Sequence, residues 1–442
     1  MSRLLLTFYG DDFTGSTDAL EQLTLAGFRT VLFIEPPTPA QLKRFPNLQA
    51  AGVAGLTRSL PPQAMVRVLR SAFKQLQALG PRHVHYKVCS TFDSSPAIGS
   101  IGCAIDVGAS IFRGRFVPVL AAAPMLGRYC IFGNLFARFG IGSSGAIHRL
   151  DCHPSASRHL ITPMTEANLQ LHLARQTKKK IALFDILKIA LPKAGAKAAL
   201  QQSLKDGAEI VLFDALDNEH LEHIGGLLDS FAGPGRPLFS AGSSGIEMAL
   251  GMHWSRRRHA VAPPWKPRRL AGGPVLAGSG SCSPVTLRQI TWAVKHGFAE
   301  VPLDAMALAS GAKSGREIER GMEAAAKHLA AGRSVIVHTN RRPVTRLKNS
   351  SSVLGGAVGR VLAGALGRVS VRRLCVAGGD TSSYAARALG IEALEMIAPL
   401  TPGAPVCRAI APGSAVDGGE IVFKGGQVGG EDYFEILKRG KV

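Results

Sequence analysis

The chain has 442 residues and a formal charge of +21, from 52 Lys and Arg against 31 Asp and Glu. That length exceeds what one hydrophobic core usually serves, so two domains are expected, and the charge favours anionic partners. With aromatics at 6% and the basic residues in short clusters such as Lys178 to Lys180 and Arg372 to Arg373, there is no stacking platform, and a nucleic-acid partner is not expected. Seven cysteines without a Cys-x-x-Cys pair argue against a disulfide framework or structural zinc. The opening MSRLLLTFYGDD lacks a signal-peptide pattern, and no window reaches the roughly 18 uninterrupted apolar residues that span a bilayer. A cytoplasmic protein with no membrane partner is the expectation.

Leu4 to Leu20 organises the first half: an apolar run, a turn holding Asp11 and Asp12, and a helix expected from about Ser16. Adjacent carboxylates at a strand's carboxyl end, where open α/β sheets bind ligands, are suited to accepting hydroxyl hydrogen bonds, taking a proton or holding a cation. The alternative for either Asp is simply to cap a helix. Thr30 to Ile34 and Ala50 to Leu56 read as further strands, the latter ending near Arg58, whose guanidinium can clamp a carboxylate or lie at the surface. His83 to Tyr86 is a fourth strand, running into Lys87-Val88-Cys89-Ser90-Thr91-Phe92-Asp93. Asp11, Asp12, Arg58, Lys87, Ser90, Thr91 and Asp93 together suit a small polar acid bearing hydroxyls.

Phe116 to Phe139 is dense in apolar residues and reads as central strands joined by a Pro-Met-Leu-Gly turn. Asp151 to Met164 reads as loop; its neighbourhood holds His148, His153 and His159, too irregularly spaced for a metal, with His159 the better candidate for a polar substrate contact. Thr165 to Phe231 continues the αβ alternation with a helix-like Thr165 to Thr177, and Leu238 to Leu250 repeats strand, Gly/Ser turn and helix. Residues 1–250 are therefore expected to form one domain. The basic, Pro-rich 251–273 reads as a linker, and 274–442 as a second domain. The expected fold class is α/β, each domain a largely parallel sheet flanked by helices.

Three strands of the second half feed glycine-rich turns: Pro274 to Ala277 into Gly278 to Ser283, Arg372 to Ala377 into Gly378 to Ser383, and Glu420 to Phe423 into Lys424 to Gly430. Free N–H groups at helix starts attract phosphate oxygens, Lys424 adds a cation, and Asp380 can hold Mg²⁺ directly or through water. No Walker-type loop and no Gly-x-Gly-x-x-Gly after the first strand is present. Nucleotide binding is the expected role of this half.

The set GDDFTGSTD, TRS, KVCSTFDSS, AGSSG, GSGSCSPVT, AGGDTSS and KGGQVGGEDYF, in this order and spacing, resembles the four-carbon acid sugar kinase family over nearly the whole chain. The resemblance implies an N-terminal acid-sugar-binding domain and a C-terminal nucleotide-binding domain that transfers phosphate from ATP, with Mg²⁺, to a terminal hydroxyl. Carried over, it places Asp11 or Asp12, Arg58 and Lys87 to Thr91, Cys89 included, on the sugar acid. Asp11 and Asp12 are the catalytic candidates, with the choice between them open. Ser281, Ser283, Gly378, Gly379, Asp380, Thr381, Ser382, Lys424, Gly426 and Gly429 would hold ATP; no resident metal site is implied. The Cys-Ser-Thr-Phe-Asp-Ser form is similar to the 3-oxo-tetronate kinase branch, with D-threonate and D-erythronate as alternative substrates. His159-Leu160-Ile161-Thr162-Pro163-Met164 and Gly425 depart from the family pattern. A non-catalytic sugar-acid and nucleotide-binding regulator is the rival reading, against which retention of Asp11, Asp12 and Asp380 argues. Whether the chain forms a homodimer is open.

Overall fold

The computed structural model describes residues 4–140, 144–157, 162–233, 235–258, 272–280, 283–339 and 350–440. The chain divides into two compact units, Met1–Val31 with Glu35–Pro264, and Leu32–Ile34 with Trp265–Val442.

The first unit carries β1 (Leu6–Gly10), β2 (Thr30–Phe33, whose last two residues group with the second unit), β3 (Ala50–Ala54), β4 (His83–Lys87) and β5 (Val117–Leu120). It continues with β6 (Arg128–Ile131), β7 (Asn134–Arg138), β8 (Ile147–Arg149), β9 (Ile181–Phe184), β10 (Ile210–Phe213) and β11 (Leu238–Gly242). The order β3-β1-β4-β11-β5-β10-β9 is parallel throughout. Strands covered by helices on both faces are largely apolar, and β1, β3, β4, β5, β10 and β11 are buried at every residue, with the buried polar groups His83, His85 and Lys87 concentrated on β4. Tyr9 stacks on Tyr86, and Phe73 from the helix Pro62–Ala78 meets Tyr9, Tyr86 and Phe239 at steep angles.

Register sets the ligand-binding edge. Gly10 lies opposite Ala54 and Lys87, and Gly242 opposite Lys87 and Leu120, so five loops leave the sheet at one level. Each is a strand's carboxyl end, the side on which such sheets bind ligands.

Of the apolar stretch between Phe116 and Phe139, only β5 is a central strand. After a short turn at Pro124–Leu126, β6 and β7 leave for a separate antiparallel sheet, β6-β7-β8. Their burial alternates between buried and half-buried residues, as one-sided strands require. The helix expected over Thr165 to Thr177 is shorter, Leu169–Ala174, with Asn168 as its cap.

The linker expected at 251–273 is also corrected at its start. The helix Gly245–Arg258 runs on through the Arg256 to Arg258 cluster, so 251–258 belong to the first unit; 259–271 lie outside the described residues. Trp254 anchors that helix, donating from Nε1 to Asp229 at 3.0 Å and meeting Phe28 at its edge.

The second unit holds β12 (Val275–Ser279), β13 (Ala299–Pro302), β14 (Val335–His338), β15 (Arg373–Ala377), β16 (Ala393–Thr401), β17 (Ala404–Ile410) and β18 (Glu420–Lys424). The run β13-β14-β12-β15-β18 is parallel, and β17 and β16 continue it antiparallel. Ser279 lies opposite Ala377 and His338, and Ala377 opposite Lys424, so these carboxyl ends are level too. Part of the basic excess is structural: Arg372 and Arg373 both pair with the buried Glu420. Among the described residues no helix is long and apolar enough to cross a membrane.

Candidate active site

The first unit's site begins with Asp12. The helix starts at Phe13, earlier than expected, because Asp12 caps it: its Oδ1 accepts from the Gly15 N–H at 2.8 Å. Its Oδ2 accepts from the Thr14 hydroxyl at 3.0 Å and pairs with Arg58 Nη2 at 2.8 Å. The capping reading and the functional reading of this carboxylate are therefore both satisfied by one geometry. Burial pushes the Asp12 carboxyl upward, but Arg58, Lys87 and the Gly15 N–H outweigh it and hold it below its ordinary range.

Asp11 is different. It is 2% exposed, and its Oδ1 has no hydrogen-bond partner. Burial, and then the negative charge of Asp12, raise its carboxyl to about 7, although Arg58 and Lys87 pull the other way. A carboxylate balanced there can hold or release a proton near neutrality.

Backbone bonds lace the three predicted loops together. The Asp11 N–H donates to the Lys87 carbonyl at 2.8 Å, and the Arg58 N–H donates to the Asp11 carbonyl at 3.0 Å. Arg58 sits in a one-turn 3-10 segment, Thr57–Ser59, steadied by a 2.9 Å hydrogen bond between the Thr57 hydroxyl and Tyr86.

Lys87 is 1% exposed; its Nζ lies 3.5 Å from Asp18 Oδ2 and donates to the Val88 carbonyl at 3.0 Å. Burial alone would lower the Lys87 pKa, yet Asp18, Glu247, Asp12 and Asp11 raise it, so the cation is secure. Gly15 is required here for space: a Cβ would stand 2.6 Å from Asp12 Oδ1 and 3.1 Å from Lys87 Nζ.

Beyond Lys87, Cys89 Sγ lies 3.0 Å from the Thr91 hydroxyl, which donates to Asp93 Oδ2 at 2.9 Å. Burial and Asp93 push the Cys89 thiol up to about 12, so it offers a neutral S–H and no nucleophile. Ser90 and Asp93 are buried. Ser94 ties the loop down through His172 Nε2 at 2.8 Å and Gln176 Nε2 at 3.0 Å. Of the histidine trio, His153 is a loop residue whose Nδ1 accepts from the Ser155 and Ala156 N–H groups; His159 lies outside the described residues.

Two further groups were not singled out from sequence. Glu247, in the first turn of Gly245–Arg258, is fully buried with neither carboxyl oxygen hydrogen-bonded, and its Oε2 lies 3.7 Å from His85 Nε2. Burial raises Glu247 to about 8 against the pull of Lys87, while burial and Lys87 push His85 down to about 3, so both are neutral at pH 7. The signal was the AGSSG turn after β11, which places an acid two residues into a helix at the ligand-binding edge. The second is Arg128, buried at the start of β6.

In the second unit, Lys424 ends β18 fully buried, with no acidic partner among the described residues. Its Nζ donates to Thr286 Oγ1 at 3.2 Å and to the Gly425 carbonyl at 3.0 Å, and lies 5.4 Å from the centre of the Tyr433 ring. Burial lowers it to about 8, with Cys375 opposing. The loop after it is shaped by the helix Pro284–Lys295. Thr286 donates to the Gly426 carbonyl at 2.8 Å, and Gln289 Nε2 reaches the carbonyls of Val428, Gly429 and Gly430. Gly429, at φ +87°, could not carry a side chain: its Cβ would meet the Tyr433 ring at 2.2 Å.

Gly378 precedes the helix Gly379–Ala388, and its N–H donates to the Lys424 carbonyl at 2.9 Å, so these two turns are neighbours. Asp380 and Thr381 stand in that helix's first turn, and Ser382 is buried with its hydroxyl 3.4 Å from the Val376 carbonyl. Ser283 precedes Pro284 at the start of the neighbouring helix; Ser281 lies outside the described residues. Two helix starts and a buried lysine without an acidic partner among the described residues carry the partial and full positive charge that attracts phosphate oxygens.

A model of a sugar-binding N-terminal domain matches residues 6–250, and a model of a nucleotide-binding C-terminal domain matches 276–434. The 3-oxo-isoapionate kinase of Paraburkholderia graminis is 44% identical over 458 residues, covering 99% of this chain and 95% of that protein. The chain belongs to the four-carbon acid sugar kinase family. As in that family, each half has its own ligand domain, and the chain is a kinase of acid sugars with a nucleotide-binding domain that uses ATP. The 3-oxo-tetronate kinase of Methylobacterium radiotolerans is 31% identical over 446 residues, covering 98% of each chain. A crystal structure of a Salmonella typhimurium LT2 protein superposes with a TM-score of 0.78 at 25% identity, covering 99% of each chain.

Proposed function

We propose that the chain transfers the γ-phosphoryl group of ATP to the terminal hydroxyl of a 3-oxo acid sugar, with Asp11 as the base. The observation that carries the choice of base is the contrast between neighbouring carboxylates. Asp12 spends both oxygens on Gly15, Thr14 and Arg58, whereas Asp11 keeps an unpartnered oxygen and a carboxyl raised to about 7.

Phosphoryl transfer asks the protein mainly for positioning and charge neutralisation. In this reading Asp11 accepts the hydroxyl proton as the oxygen attacks phosphorus. Arg58, held by Asp12, fixes the substrate, and the Lys87 to Asp93 loop binds its hydroxyls. Lys424, Gly426, Gly429, Ser281, Ser283 and the Gly378 to Ser382 turn take the triphosphate.

In this reading Mg²⁺ arrives with ATP. Asp380, in the first turn of its helix, is the carboxylate this reading assigns to such an ion. When bound, Mg²⁺ neutralises phosphate charge.

The relative named 3-oxo-isoapionate kinase supports 3-oxo-isoapionate as the acceptor to test first. The Cys89-Ser90-Thr91 form and the relatives named 3-oxo-tetronate kinase support 3-oxo-tetronate as the second reading. Coupled ATP-consumption assays over both 3-oxo acids, D-erythronate and D-threonate, with ³¹P NMR of the product, test this. A 3-oxo acid should give the highest kcat/KM and a phosphate monoester on the terminal carbon. ATP turnover confined to D-erythronate or D-threonate would contradict the 3-oxo assignment, and no turnover with any of the four would contradict the acceptor class.

A further inference from the structure

Arg128 opens β6, two residues past the end of the Pro124–Leu126 turn that follows β5's Ala121-Ala122-Ala123 run. Its backbone pairs with Ala123 in both directions, N–H to carbonyl at 3.2 Å and carbonyl from N–H at 3.0 Å. Since Leu120 lies level with Gly242, and Gly242 with Lys87, that pairing holds Arg128 just beyond the edge where the Asp11, Arg58 and Lys87 loops emerge.

Arg128 is only 6% exposed. Its Nη1 is spent on three carbonyls, of Leu126 at 2.9 Å, Gly127 at 3.4 Å and Arg138 at 3.1 Å. Its Nε–H is buried with no acceptor, and no carboxylate among the described residues pairs with it. The carboxylates that act on it from a distance are Asp93 and Asp18, both beside the sugar-acid loops; they only partly oppose the lowering of its pKa by burial.

The other cations of the site each already have a carboxylate beside them, Arg58 that of Asp12 and Lys87 that of Asp18. A buried cation with an unpaired donor and no counter-charge is costly, and an anion that arrives with the ligand removes the cost. Arginine's planar fork suits a carboxylate through two parallel hydrogen bonds. Building on the sugar-acid reading above, we propose that Arg128 is a substrate-binding residue that receives the carboxylate of the acid sugar. Arg58 then serves the acceptor end of the same molecule. This turns the three-stranded side sheet into the element that selects acids over neutral sugars.

The test compares wild type with Arg128→Gln and Arg128→Lys. It measures KM for the acid sugar and for ATP, and the calorimetric affinity for the acid sugar against its carboxamide in the absence of ATP. Loss of a charge-assisted pair should raise KM for the acid by roughly 10- to 100-fold in Arg128→Gln, and shrink the acid-over-amide preference by a similar factor. KM for ATP should change less than about twofold, and Arg128→Lys should fall between the other two.

Folded variants that keep the wild-type acid-over-amide ratio would show Arg128 to be only a tie for the carbonyls of Leu126, Gly127 and Arg138, and would overturn the proposal. Should Arg128→Gln fail to fold, Arg128→Lys and the wild-type comparison decide: equal wild-type affinity for acid and amide overturns it equally. A wild type that phosphorylates no acid sugar would instead remove the activity reading, while calorimetry on a C4 sugar acid would still decide the role of Arg128.

Discussion

Arg58 Nη2 stands 2.8 Å from Asp12 Oδ2, and the same carboxylate caps the first helix through the Gly15 N–H. One side chain thus begins a helix and holds an arginine, while Oδ1 of its neighbour Asp11 is buried without a hydrogen-bond partner.

That double role makes Asp12 separable by substitution. Asparagine is a good cap but cannot neutralise a guanidinium, whereas alanine can do neither. Asp12→Ala should lower stability by about 2–4 kcal/mol in thermal unfolding, the cap contributing about 1 kcal/mol and the unpaired, largely buried Arg58 the rest. Asp12→Asn should keep the cap share, and with it a higher Tm. Equal Tm values for the two variants would count against the cap.

Lys424 is lowered to about 8 by burial, so its charge fades as pH rises through that value in the free protein. KM for ATP should therefore increase above pH 8, and Lys424→Arg should flatten the rise because arginine stays charged. Lys424→Gln should raise KM for ATP by roughly 10- to 100-fold at pH 7, while KM for the sugar acid stays close to wild type. Steady-state kinetics with each ligand varied in turn reads both.

Glu247 bears on stability rather than turnover. Its ordinary value is 4.5 and its folded value about 8, so between these the native state binds a proton that the unfolded state has released. Stability contributed at this site falls as pH rises from about 4.5 to 8 and is level above. Glu247→Gln, which keeps the neutral shape, should leave Tm nearly unchanged at pH 5 and raise it relative to wild type at pH 9. A constant difference across that range would mean the carboxyl does not titrate as its burial implies.

How much of this was legible in the sequence depends on the kind of residue. The loops at Asp11 and Arg58 were readable because buried parallel strands are near-continuous apolar runs that stop where polar residues begin. The turns at Gly378 and Lys424 were readable for the same reason. The Lys87 loop was readable from the dense polar run Ser90-Thr91-Phe92-Asp93 that follows β4. The helix start at Phe13 carried its own signal in Asp12, which as a cap belongs before the first helical residue. The β16–β17 hairpin, not assigned from sequence, had a turn signal in Pro402-Gly403. Arg128 had none: inside Arg-Tyr-Cys-Ile-Phe it reads as a strand residue. Its meaning depends on Ala123 holding it beside the ligand edge, a long-range fact. Asp18 and Glu247 likewise lie inside helical runs, and only the packing of those helices brings them to Lys87.

The central claim is that Asp11, and not Asp12, takes the proton. The most direct measurement is the pH dependence of kcat/KM for the acid sugar in wild type and Asp11→Asn, with binding of the acid followed separately by calorimetry. The base is active when ionised, so wild-type kcat/KM should climb tenfold per pH unit up to an inflection near 7 and then level off. Asp11→Asn should lose about a hundredfold or more in kcat and that acid limb with it, while still binding the acid sugar. A variant that turns over at the wild-type rate with the inflection intact would contradict the account.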